Sequence, residues 1–585
     1  MSVLPFLGLA FGGAAASLLL RRRVAASAIV GLLALVAATI AAAAIRPDDA
    51  LAIAGSGLTG SAFGRLFLVL VTGSATVLVG IALATGWTRN LPGALLAGLG
   101  GIGLALSLPD PTMAALATLI GGLAGVLITL PGTVTPRAVA VAAREVRAIA
   151  VGGALVLLAM AWISRPLGSL AEDTAVFGLA YLAVAVGMAM RFGAIPFHLW
   201  AARVADAAPE VALPLLIAWG PAALAVVGLA WIDGSIAPVA PLTGQLPIEH
   251  LVIVLIGLAC LVLGAIAAWV QEDLEHVAGY ATVQDAGVVI LAFAVLDPAV
   301  WEPSRTWILV LLAVRTAFAA WAVAIRARFG SRRIRELRGW ARRSPMLLVA
   351  LIAIGATSVG WPGLLAFDAR ASVITLAFDG PVRGLVLVAV FLPLLYYGRL
   401  LAIGFARPTP EVAAVADDRP RALARAAGGS AASTSGLETL GRLVAVNRGP
   451  LVASLVLVLA ASAVTIAGGG FGFVGVTAAA VEAAPVVTGG NDLPGSGPGP
   501  SGQSPAPADQ GGPSPAPNGP SGSPGSSGDS SAPPSPSRSP SPSVARPSPS
   551  HSPSPSVSPG ASGSPQPTKS PTPSRSPRPS GSFAA

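Results

Sequence analysis

Arg191-Phe-Gly-Ala-Ile-Pro-Phe-His-Leu-Trp200 lies between two apolar spans, Thr174–Met190 and Val211–Trp231. Pro196 removes a backbone donor and pushes Ile195 away from helical angles, so a membrane helix bends or breaks here. Backbone groups freed at membrane depth are tolerated only inside protein or beside a water-filled cavity. An ionisable residue beside such a break marks a candidate functional site. A second reading also fits the residues: a loop at the membrane surface, with Arg191, His198 and Trp200 at the interface.

Outward from that stretch, the 585 residues are 54% hydrophobic and only 11% charged, with a mean hydropathy of +0.75. That balance excludes an ordinary soluble domain. The apolar residues fall into about 14 runs, from Val3–Leu20 to Leu451–Val474, each near the length needed to cross ~30 Å of hydrocarbon. The expected class is therefore an all-α polytopic membrane protein. Cys260 is the one cysteine, so a disulfide framework or a cysteine metal site within the chain is excluded. The net charge of +9 rests on arginine, because the one lysine, Lys569, is near the C-terminus. This pattern fits loop arginines obeying the positive-inside rule, not a nucleic-acid surface.

The first apolar run precedes its arginines, Arg21-Arg22-Arg23, so it reads as a span and not a secretory signal. It places the N-terminus outside. Alternate links agree: Arg89, Arg137, Arg144, Arg147, Arg191, Arg203 and the cluster from Arg326 to Arg343 fall inside. Asp48, Asp49, Asp110, Glu172, Asp173, Asp233, Glu249, Asp297 and Glu302 fall outside. An even count returns the C-terminus to the outside. Residues 1–480 form the membrane domain, with an inside link at 408–448. Residues 481–585 are Pro/Ser/Gly-rich and are expected to form a disordered extracytoplasmic tail.

Six residues are candidates for an ion path. Arg191 cannot release a proton, whereas His198, with a reference pKa of ~6.5, can. Asp285 sits inside the span Val277–Leu296, and Arg315 is central in the next span, Trp307–Ile325. An acid and a base in neighbouring spans predict an Asp285–Arg315 ion pair, either as a helix clasp or as part of a path. Asp368 and Arg370 follow a second Gly/Pro interruption, Gly360-Trp-Pro-Gly363. Two interrupted spans in corresponding positions of two halves point to a transport path built from repeats. Arg191 and Arg370 are then expected to face each other across a polar thread; exposed charges in an outside link are the alternative for Asp368 and Arg370. Glu272, Asp273, Glu275 and His276 have metal-ligand residue types but read as a solvated helix cap.

These motifs resemble the antiporter-like membrane subunits of respiratory complex I, subunit N of NADH–quinone oxidoreductase nearest. Arg191 to Trp200, followed by Ala207-Ala-Pro209, resembles the family's Lys-x-x-x-x-Pro-Phe-His-x-Trp…Gly-Ala-Pro signature. Gly279-Tyr-Ala-Thr-Val-Gln-Asp-Ala-Gly287 resembles its Ala-Tyr-Ser-Ser-Ile-Ala-His-Ala-Gly segment. Arg335 to Pro345, running on through Ser358 and Pro362 to Phe367, resembles its Asp-Leu-Arg-Gly-Leu…Ser-Pro…Gly-Phe segment, and Tyr396-Tyr397 stands where the family often has a tyrosine pair. The resemblance covers roughly residues 175–400. It implies about 14 helices, two inverted five-helix repeats each with a broken helix, both termini outside, and proton passage along a line of glutamate, lysines and histidine.

The chain departs from that line at nearly every point. The lysines of the two broken helices match Arg191 and Arg370. The next helix's lysine falls at or beside Gly220-Pro221, and the histidine matches Asp285. The family's early glutamate falls around Leu119–Gly121, where no acid stands. The expectation is a membrane subunit of a complex I-like assembly in a bacterial plasma membrane, partnered by other membrane subunits and lipid. It would be a non-redox subunit without cofactor or metal of its own, and its proton translocation would be degenerate. A stand-alone secondary transporter or a non-conducting scaffold reusing the fold is the alternative.

Overall fold

The computed structural model describes residues 2–47, 50–53, 56–85, 91–129, 136–163, 174–200, 203–204, 208, 210–238, 246–407 and 448–470. Asp48, Asp49, Arg89, Glu172, Asp173, nearly all of the 408–448 link and the 481–585 tail lie outside the described residues.

Apolar runs without β-branched alternation fold as helices, because only a helix satisfies its own backbone in lipid. The first seven are α1 (Leu4–Leu19), α2 (Val24–Ala43), α3 (Ala62–Thr85), α4 (Leu91–Ala105), α5 (Pro111–Thr129), α6 (Pro136–Ile163) and α7 (Thr174–Phe192). There follow α8 (Glu210–Ile236), α9 (Pro247–Val270), α10 (Leu274–Ala294) and α11 (Trp301–Phe329). The last are α12 (Pro345–Val359), α13 (Leu365–Ala377), α14 (Gly380–Ala389), α15 (Pro393–Phe405) and α16 (Arg448–Ala467). Among the described residues, nine helices are long and apolar enough to cross a membrane, α14 and α15 together counting as one, and five shorter apolar helices accompany them. Together they fall on the expected spans, and the multi-pass membrane reading stands. The one departure from an all-helical chain among the described residues is a short antiparallel hairpin between α2 and α3, β1 (Ala50–Ile53) and β2 (Ser56–Thr59).

α8, α10 and α11 are buried nearly throughout, whereas α2, α9 and the α14–α15 pair bury less than half of their length. A helix apolar all round and buried all round is a bundle core. α11 packs against α3, α8, α10, α12, α13 and α16, and α10 lies against both α7 and α13. α8 carries π-helical turns at Pro214–Trp219 and Ile232–Ile236 on either side of Gly220-Pro221. The first of these contains Ile217, whose carbonyl Pro221 leaves without its i−4 donor.

Both predicted breaks are present. α7 stops at Phe192, and Gly193 takes a positive φ of 61°. The freed groups find partners: Gly193 N donates to Met190 O, Trp200 Nε1 donates to the same carbonyl at 2.9 Å, and Ile195 N donates to Cys260 Sγ at 3.2 Å. α12 stops at Val359 on Gly360, whose φ is 60°, and α13 resumes at Leu365. Arg191 to Ala194 are buried, Ile195, Phe197 and His198 are half-buried, and Pro196 and Leu199 are exposed.

Candidate functional site

A charged centre occupies the second half of the bundle. Arg315 Nε on α11 donates to Asp285 Oδ2 on α10 at 2.6 Å, and Arg315 Nη2 stands 2.5 Å from the same oxygen. The expected ion pair is formed. Arg315 Nη2 also donates to Ser358 Oγ at 2.8 Å and reaches Tyr396 Oη at 3.5 Å, while Trp307 Nε1 donates to the Asp285 carbonyl at 3.1 Å. Both charges are buried, so they stand as a pair or not at all.

Arg370 on α13 adjoins this centre and is 0% exposed. Its Nη1 donates to Ser358 O at 3.2 Å, and its Nη2 donates to Val390 O at 3.1 Å and to Val359 O. Ser358 and Val359 close α12, and Val390 follows α14. Carbonyls at a helix C-terminus lack intrahelical donors and carry partial negative charge. Arg370 thus caps the broken helix and ties it to its neighbour. Its guanidinium also lies over the Trp307 ring, 4.6 Å from the centroid.

Arg191, in the last turn of α7, forms a separate site. The residue opposite it is Glu145 on α6, 0% exposed, and the two share one small cavity with glycines of α5. The cavity has room for about one water molecule. Sequence reading passed over Glu145 because Arg144 and Arg147 flank it and the segment reads as a basic link. The signal that could have found it is helical phase: at ~100° per residue those arginines leave the face that Glu145 occupies.

The six candidates are therefore divided. Asp285, Arg315 and Arg370 come together. Arg191 meets Glu145 and not Arg370, with α10 packed between their helices, so the expected confrontation of the two arginines is not found. His198 is half-buried with its ring 6.0 Å from Tyr280, and Asp368 is exposed on α13, two residues from Arg370 but on another face. The 272–276 cluster also differs from the expected solvated cap. Glu275 is 2% exposed. Arg332 Nη1 donates to its Oε2 at 2.9 Å, and Arg326 bridges its Oε1 and the buried Glu210. Arginines of the 326–343 cluster reach back over the end of α10 and bury its first-turn acid.

Residues 122–395 match the family model described as NADH:quinone oxidoreductase/Mrp antiporter, TM. Over these residues, just under half of its length, the chain is similar to the antiporter-like modules of this family. NADH-quinone oxidoreductase subunit N of Nitrosomonas europaea is 27% identical over 255 residues, 43% of this chain and 51% of that protein. The chain thus spans about half the length of the curated relatives it matches. Among solved structures, a chain of respiratory complex I from Thermus thermophilus aligns with a TM-score of 0.55 at 19% identity, covering 80% of this chain and all of that one. A chain of the Mrp complex from Dietzia sp. DQ12-45-1b aligns with a TM-score of 0.58 at 19% identity, covering 82% of this chain and 95% of that one.

Of the positions expected for the early acid, Leu119–Gly121, the glycine is tightly packed. A Cβ on Gly121 would stand 3.1 Å from Gly101 Cα, and one on Gly122 would stand 3.1 Å from Arg191 Nη2. α4 and α5 touch backbone to backbone there, and the guanidinium fills the next position. A side chain at Gly121 would have to part the two helices, and one at Gly122 would have to displace the end of the Arg191 side chain.

Proposed function

We propose that this chain is a membrane subunit of a complex I-like assembly whose second-half charge centre acts as a fixed clasp, so that proton passage through it is weak or absent. The observation that carries the reading is the holding of Arg370 on three main-chain carbonyls, Ser358, Val359 and Val390. A relay must let a proton go and change partners. Arginine keeps its proton at any accessible pH, and its planar fork here is spread over two helix ends. The Asp285–Arg315 pair beside it is equally committed.

The placement that goes with this reading is a bacterial plasma membrane with both termini extracytoplasmic. Residues 1–480 form the embedded domain, 408–448 a cytoplasmic link, and 481–585 a spacer outside. The positive-inside pattern supports it.

The test has two parts. Affinity purification from native membranes is expected to bring down other membrane subunits together with redox subunits of one assembly; recovery of the chain alone would overturn the assembly reading. Purified protein in vesicles carrying an internal pH dye is expected to dissipate an imposed proton gradient no faster than empty vesicles. A flux that Asp285→Asn abolishes would show that the centre conducts.

A further inference from the structure

We propose that Glu145 on α6 is the counter-charge of Arg191 and a proton-binding site of the first half of the bundle, with water in the shared cavity as its bridge. The inference rests on the antiporter-like reading of the fold but not on whether the chain conducts.

The geometry differs from that of the second half in one decisive way. Asp285 is gripped by Arg315 through two close contacts, so protonating it means breaking the pair. Glu145 has no such grip. Neither of its oxygens, nor Arg191 Nη1, has a hydrogen-bond partner among the described residues, and no hydrogen bond joins the two side chains. Both line the same cavity. A buried carboxyl is held either by a proton or by a nearby cation. Here the cation is close enough to share the cavity, and the carboxyl can change between the two states without losing a partner. A water with polar groups on two sides satisfies both.

The surroundings make this site specific to Glu145. The α4, α5 and α8 residues at the cavity are apolar, glycine or threonine, and contribute no titratable group. α7 contributes Arg191. On α6 itself Arg144 and Arg147 are exposed on other faces. A Cβ on Gly220 would approach Arg191 Nη2 to 3.4 Å, so α5 and α8 both give up side chains around the guanidinium. The acid therefore comes from α6.

Dicyclohexylcarbodiimide adds to a protonated carboxyl in an apolar setting, so it reads the protonation state directly. The protein in lipid nanodiscs is treated across pH 5 to 9, digested and analysed by mass spectrometry. Labelling of Glu145 is expected at low pH, falling at least several-fold as pH rises, with Asp285 unlabelled throughout. Arg191→Gln removes the stabilising cation and is expected to carry the labelling of Glu145 to higher pH. Arg191→Lys keeps the charge and should retain the parent profile, which separates charge from misfolding. Absence of label on Glu145 at every pH in both the parent and Arg191→Gln would overturn the proposal, as would a profile indifferent to Arg191→Gln. Failure of the assembly reading leaves these outcomes untouched, because the experiment needs only the purified chain.

Discussion

At the scale of single residues, the Asp285–Arg315 pair decides how the second half is built. Removing one member leaves a buried charge without its partner, which costs about 3–5 kcal/mol, whereas replacing both with apolar residues of similar volume is often neutral. Asp285→Leu is therefore expected to destabilise the protein strongly, and Asp285→Leu with Arg315→Leu to recover most of the loss. Denaturant-induced unfolding in bicelles measures both; equal losses in the single and double variants would show that the pair is not the unit of stability. This pair was legible in the sequence because an acid and a base in adjacent apolar runs have few other partners. Glu145 was not, because it stands between two arginines and only its helical phase separates it from them. Nor was the role of Arg370. Sequence places it after a Gly/Pro break, but which carbonyls it caps depends on how α12 and α14 end in space.

At the scale of elements, α9 and α10 pack through glycine. A Cβ on Gly287 would stand 2.7 Å from Gly257 O and 2.7 Å from Leu261 N, and one on Gly264 would stand 2.9 Å from Gln284 N. Both helices present main chain to main chain, as small residues allow in membranes. Gly287 lies two residues beyond Asp285 on the same helix, so this contact seats α10 against α9 close to the buried acid. Gly287→Leu is expected to push α10 off α9, to cost about 1–3 kcal/mol through overpacking, and to lower the unfolding midpoint. Gly279→Ala, on the same helix but with no heavy atom within 4 Å of its added Cβ, is the control expected to leave stability near the parent value. Similar midpoints for the two variants would contradict the close-contact account. The breaks at Gly193 and Gly360 could be anticipated from glycine and proline alone. The glycine contacts could not, since sequence does not say which faces of α9 and α10 meet.

At the scale of the whole molecule, charge sorts by link. The arginines from Arg326 to Arg343 gather at one end of α11 and α12, and Asp297 and Glu302 lie at the opposite end of α10 and α11. The span count was legible because an error of one would invert every later link, and the folded helices fall on the expected runs. The hairpin between α2 and α3 was not, because its four-residue strands carry no pattern long enough to register. Orientation follows from the same charge bias: the arginine end should face the cytoplasm. Cys260 is buried and is the one cysteine, so Cys260→Ala gives a background free of thiols. In that background Arg333→Cys and Asp297→Cys place single thiols at exposed positions on the two ends of α10 and α11. A membrane-impermeant maleimide applied to intact cells is expected to label Asp297→Cys and to reach Arg333→Cys only after the membrane is opened. The reverse pattern would turn the molecule over. It would then place both termini in the cytoplasm, and with them the Pro/Ser/Gly-rich tail.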